Sequence, residues 1–156
     1  MKKKILSLAL AAGMSAMLLP TVACAASQSY TEQNATLIAF SDDAVTASGA
    51  YSGYEIDGTA VSITEAGTYV LSGACADGSV TVKKEVTGVT LVLDGLDLSS
   101  ATTSPITVSK SAEATLLAAA GSENTVADSA DANDENAAIK VKTGASLTLG
   151  GTGTLR

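Results

Sequence analysis

Histidine and tryptophan are absent, arginine occurs once, as Arg156, and aromatic residues make up only 3% of the chain. Without histidine, the chain lacks the commonest general base and the commonest transition-metal ligand. So little aromatic surface excludes a large sandwich core built on rings and a broad stacking platform. Cysteine is scarce too: Cys24 and Cys75 are the only two. Basic residues are outnumbered, with 9 Lys and Arg against 16 Asp and Glu, for a net charge of −7.

What is present begins with an export signal. Lys2, Lys3 and Lys4 precede an apolar run from Ile5 to Leu19, broken only by Ser7, Gly13 and Ser15 and ended by Pro20. The run is short for a membrane span, and Ala23-Cys24-Ala25 fits a small-x-small cleavage site. Residues 1–25 therefore read as a signal peptide, cleaved before Ala26, and the mature protein is expected to be secreted or held at the cell surface. A lipoprotein reading would make Cys24 the first mature residue and its thiol the lipid acceptor. Thr21 stands where such a signal usually carries leucine, so no membrane anchor is expected.

Cleavage removes three lysines and takes the net charge from −7 to −10. Nucleic acid and anionic lipid surfaces, which demand a basic patch, are then excluded as expected partners. A polyanion remains possible through bridging metal ions. Cys75 becomes the only mature cysteine, which rules out an intrachain disulfide and leaves it as a small apolar residue near a turn.

Residues 26–35 are small and polar and read as a linker. From Thr36 onward, Val, Ile, Leu and Thr alternate with polar residues, cut by Gly, Asp and Ser, which is the period of strands. Strands are expected near Thr36–Phe40, Tyr54–Ile56, Val61–Thr64 and Thr68–Leu71, with a hairpin turn at Asp57-Gly58. Beyond residue 79 a three-strand phrase occurs three times. Its first strand is Val80–Val82, Ile106–Val108 and Ile139–Val141. Its second is Val89–Leu93, Ala114–Ala118 and Ala145–Leu149. Its third is marked by Leu98, Val126 and Leu155. The spacings are 26 and 33, 25 and 31, and 28 and 29 residues. Three short strands at near-constant period are the signature of a solenoid. Residues 36–156 are therefore expected to form an all-β parallel β-helix, with Val82, Val108 and Val141 in one inward stack and Leu91, Leu116 and Leu147 in another. An antiparallel β-sandwich is the alternative. Because the chain stops in mid-phrase at Gly150–Arg156, a C-terminally truncated helix is expected.

Four segments resemble a family of secreted bacterial carbohydrate-binding proteins built as right-handed, calcium-binding parallel β-helices. They are I-T-E-A-G-T-Y-V-L-S-G at Ile63–Gly73, V-T-L-V-L-D-G-L-D-L at Val89–Leu98, G-S-E-N-T at Gly121–Thr125, and A-I-K-V-K-T-G-A-S-L-T-L-G-G-T-G-T-L at Ala138–Leu155. The resemblance implies binding of cell-wall polysaccharide, acidic pectic chains or cellulose, with calcium as a structural or bridging ion and without catalysis.

The expected metal ligands are oxygen donors, because calcium takes about six to eight oxygens. Asp128, Asp131, Asp134 and Glu135 crowd one loop with Asn133 and Asn136; the alternative is a solvated acidic loop. Asp94 and Asp97 flank Gly95, and Asn124 falls at the matching turn of the next coil, a second candidate set whose alternative is a plain turn role. Tyr30, Tyr51, Tyr54 and Tyr69 are candidates for stacking on sugar rings. A pectin-degrading enzyme would need an acid–base constellation, and none stands out. A structural or adhesive stalk is the other competing function.

Overall fold

A computed structural model describes residues 28–128 and 137–156. Residues 1–25, expected from sequence to be a signal peptide and including Cys24, and the loop positions Asp131, Asp134 and Glu135 lie outside the described residues. Among the described residues the fold is all-β, without helix, and consists of two mixed sheets.

The elements are β1 (Thr36–Phe40), β2 (Val45–Gly49), β3 (Tyr54–Asp57), β4 (Ala60–Ile63), β5 (Gly67–Cys75), β6 (Ser79–Val82), β7 (Val89–Ser100), β8 (Ile106–Val108), β9 (Glu113–Ala118), β10 (Glu123–Asp128), β11 (Ile139–Val141), β12 (Ser146–Gly151) and β13 (Thr154–Leu155). The larger sheet runs β12-β9-β7-β5-β1-β2, with β10 and β13 attached beside β7; the smaller runs β11-β8-β6-β4-β3. Consecutive turns of the chain alternate between the two sheets. Most pairs are parallel; β1 with β2 and β3 with β4 are antiparallel. The β3–β4 hairpin turns at Gly58, whose φ of 60° needs the left-handed region, as the Asp57-Gly58 pair predicts. Strand β2 is not among the strands expected from sequence, because its Thr-Ala-Ser-Gly composition carries little apolar alternation.

Alternation explains the core. Val61, Ile63, Val80, Val82, Ile106 and Val108 from the smaller sheet meet Leu71, Leu91, Leu93, Leu96, Leu98 and Leu116 from the larger one in a single buried cluster. Each such side chain stabilises the fold by about 1.5–3 kcal/mol relative to leaving it in water. Val82, Val108 and Val141 are registered neighbours in successive strands, as expected, but only Val82 and Val108 are buried; Val141, on the edge strand β11, is 45% exposed. Two other stacks need correction. Leu116 lies between Leu91 and Leu149, whereas Leu147 sits beside Ala114. Leu155 sits beside Asn124, not Val126, which pairs with Leu98. Both errors are two residues long. A slip of two leaves the inward parity of every side chain unchanged, so alternation cannot detect it.

The register of β12 is set by the turn that precedes it. After β6, β8 and β11, an i to i+3 bond closes the same turn: Val86 N–H to Lys83 O, Ala112 N–H to Ser109 O, Ala145 N–H to Lys142 O. The third residue of each turn has positive φ: Glu85 at 64°, Ser111 at 59° and Gly144 at 73°. Because these turns match in geometry, Ala145 must follow Ala112, which shifts β12 by two residues from the sequence-based alignment.

Tyr69 is fully buried, and its hydroxyl donates toward the carbonyls of Gly53 and Glu65, each 3.1 Å away. Burial first, then the charges of Glu65, Tyr51 and Tyr54, push its phenol from 10.0 up to about 12. The neutral phenol is thus favoured in the folded state. Its stabilising share, about 2–3 kcal/mol, is fully present below pH 10 and is lost as pH rises through 12. Urea midpoints measured between pH 9 and 12 should fall more steeply for the wild type than for Tyr69→Phe; parallel slopes would refute this account.

Candidate functional site

The outer face of the larger sheet carries apolar residues where a solvated sheet would be polar. Val70 follows Tyr69 and precedes Leu71; Val92 lies between Leu91 and Leu93, so both faces of these strands are apolar. A strand buried on both sides needs a cover on each. The cover is the segment before β1. Asn34 and Ala35 N–H both donate to Thr31 O, while the Asn34 side chain accepts from Thr31 N–H and donates to Ser29 O. This turn packs Tyr30, with Leu37, Leu117 and Ala119, against buried Ala35, Val70 and Val92.

Beside it opens a cleft of about 350 Å³ lined by Gln28, Ser29, Tyr30, Ser72, Asp94 and neighbouring apolar atoms. A half-buried ring sits there beside an exposed carboxylate, an amide and hydroxyls. Such a set can take the apolar C–H face of a sugar ring and its hydroxyl groups together. Tyr30 is thus a tyrosine that meets a cleft. Tyr69 is interior, and Tyr51 and Tyr54 pack against the main core, the Tyr51 ring tilted 47° to that of Tyr69 at 6.0 Å.

The second candidate metal set does not converge. Asp94 and Gly95 occupy an irregularity in the β5–β7 ladder, where the register steps from Leu71–Leu93 to Gly73–Leu96. This kink sends Asp94 to the Tyr30 cleft. Asp97 lines another depression, of about 240 Å³, with Asp42, Cys75 and Ser99. Asp42 is held there by accepting the Ala76 N–H at 2.8 Å. Asn124 is buried; its oxygen accepts Gly95 and Leu96 N–H, and its amide nitrogen donates to Ser122 Oγ and Thr154 O. Both lone pairs and both protons are thereby engaged in joining three successive turns of chain. Asp128 ends β10, at the threshold of the acidic loop. Among the described residues, no three acidic or cysteine side chains gather in a metal-binding group. Cys75 is buried, as expected for a small apolar residue.

Sequence reasoning missed Gln28, Ser29 and Ser72, which come from segments far apart along the chain. The outward valines Val70 and Val92 were the available signal that something must cover that face.

No curated protein and no solved structure matches the chain. Residues 57–156 match the family model described as "Carbohydrate-binding domain-containing protein", which takes in Ser72 and Asp94 of the cleft. The chain therefore belongs to the carbohydrate-binding domain-containing protein family.

Proposed function

We propose that this protein is a secreted, non-catalytic binding module for cell-wall polysaccharide, pectic chains or cellulose, and that its strands form coils of a right-handed parallel β-helix. The cleft of Tyr30, Ser72 and Asp94 carries the reading: it combines a ring face with hydrogen-bonding groups on an otherwise weakly aromatic surface. The coil reading is supported by the registered stack of Val82, Val108 and Val141 and by the matching turns after β6, β8 and β11. Calcium, in this proposal, belongs to the loop beginning at Asp128, with Asp131, Asp134 and Glu135 supplying oxygens; Asp94, Asp97 and Asn124 have the separate placements described above. Bound there, the ion would help hold a polyanion against a chain of negative charge.

Retention of the full chain on polygalacturonate and on cellulose, with calcium and with chelator, is the test. Tyr30→Ala and Asp94→Ala should each weaken retention about 5- to 30-fold, the equivalent of one lost stacking or charge-assisted contact. Retention that chelator does not alter would remove calcium from the proposal. No retention on any glycan would favour a stalk. Release of unsaturated or reducing sugar ends, lost in Asp97→Asn, would overturn the non-catalytic reading.

A further inference from the structure

Every lysine after Lys4 lies on the smaller sheet or on the turn that leaves it: Lys83, Lys84, Lys110, Lys140 and Lys142. The register converts this into a pattern. Because Val82, Val108 and Val141 are neighbours, the residues that follow are stacked as well: Lys83, Ser109 and Lys142 in one file, Lys84, Lys110 and Thr143 in the next. The backbone confirms these files, with Ser109 N–H donating to Val82 O, Lys142 N–H to Val108 O and Glu85 N–H to Lys110 O. Lys83, Lys84, Lys110 and Lys142 are all exposed. Successive strands are about 4.8 Å apart, so four ammonium groups are spread over about 10 Å along the stack.

The acids facing this edge are fewer. Glu85 lies 3.1 Å from Lys84 in the same exposed turn, and Glu113 starts the strand that follows Lys110. Glu65 belongs to the corresponding corner before β5. Of the cations outside these files, Lys140 lies within β11 and Arg156 pairs with Glu123 on a different strand. Four of the six cations that follow Lys4 thus lie in two adjacent files along one edge.

We propose that this lysine line is a direct, calcium-independent binding edge for a polysaccharide bearing a carboxylate on successive sugars, running along the stack of strands. The proposal rests on the carbohydrate-binding reading and adds a second contact, separate from the Tyr30 cleft. A lysine ammonium is a mobile point charge that suits a carboxylate without demanding one fixed geometry. Several such contacts, each weak and screened by salt, sum along a repeating ligand. A nucleic acid carries denser charge and would be repelled by the acidic surface beyond this narrow line.

The test uses the full chain, polygalacturonate as probe, chelator throughout and low salt. Changing Lys83, Lys84, Lys110 and Lys142 together to Gln should reduce affinity at least tenfold. The all-Arg variant should keep most of the binding, and retention on neutral cellulose should stay unchanged. Circular dichroism checks that both variants fold, and amide chemical shifts on adding a short oligogalacturonide should move at these turns. Gln-variant affinity within twofold of wild type would overturn the proposal, as would equal affinity for single-stranded DNA of matched length. Loss of polygalacturonate binding in chelator, with cellulose retention intact, would remove the lysine edge but leave the cleft reading standing. Failure to bind any glycan would remove both.

Discussion

Leu91→Ala should destabilise the protein by about 3–5 kcal/mol, read as a lowered urea midpoint with little change in slope. Leu91 is fully buried and lies between Tyr69 and Leu116, its registered neighbours on either side. Removing its isobutyl group leaves a void whose walls are held by strands hydrogen-bonded on both edges, so collapse is limited. The same substitution two strands further along provides an internal control. Leu149 follows Leu116 in this stack but is 63% exposed, because β12 has no paired strand beyond it among the described residues. Leu149→Ala should cost under about 1 kcal/mol. Equal losses at the two positions would mean that the stack does not run through the core as described.

Asn124→Ala is expected to cost about 2–4 kcal/mol, more than most polar substitutions. The wild-type side chain accepts N–H bonds of 3.0 Å from Gly95 and Leu96 and donates bonds of 2.8 and 3.0 Å to Ser122 Oγ and Thr154 O. Alanine leaves those backbone groups without their partner, and a buried unsatisfied polar group costs about 1–3 kcal/mol. Asn124→Asp keeps the acceptor but replaces the donor with an oxygen facing the Thr154 carbonyl, and it buries a charge, so it should fare no better. Hydrogen exchange at Gly95 and Leu96 amides is the specific reading: it should accelerate in both variants. Unchanged exchange there, despite lost stability, would show that Asn124 does not secure the kink. Since Asp94 adjoins Gly95, glycan retention at the Tyr30 cleft should weaken alongside.

Much of the smaller sheet is legible in the sequence alone, because Val80–Val82, Ile106–Val108 and Ile139–Val141 are short, strongly apolar and bounded by turn residues. The hairpin at Asp57-Gly58 was legible for the same local reason. The site was less so. Asp94 and Asp97 look alike in sequence, two acids around one glycine, yet the β5–β7 irregularity turns them toward different clefts. Asn124 has the composition of a metal ligand and the surroundings of a backbone staple. No local pattern distinguishes these, since the deciding partners are about thirty residues away.

Most of the strands, the inward parity of Val82 and Val108, the acidic charge and the absence of histidine chemistry were already present in the amino-acid sequence. Those properties follow from residue type and period-two alternation, which are local. Tertiary structure decided the two-residue placement of β12, the covering of Val70 and Val92 by Tyr30, and the gathering of four lysines into two adjacent files. Each depends on which strand lies beside which, and a slip by a full period of the pattern costs nothing locally. For β12 the matched turns after β8 and β11, closed by the same backbone bond, carry Ala145 over Ala112 and so distinguish the correct register from its neighbours.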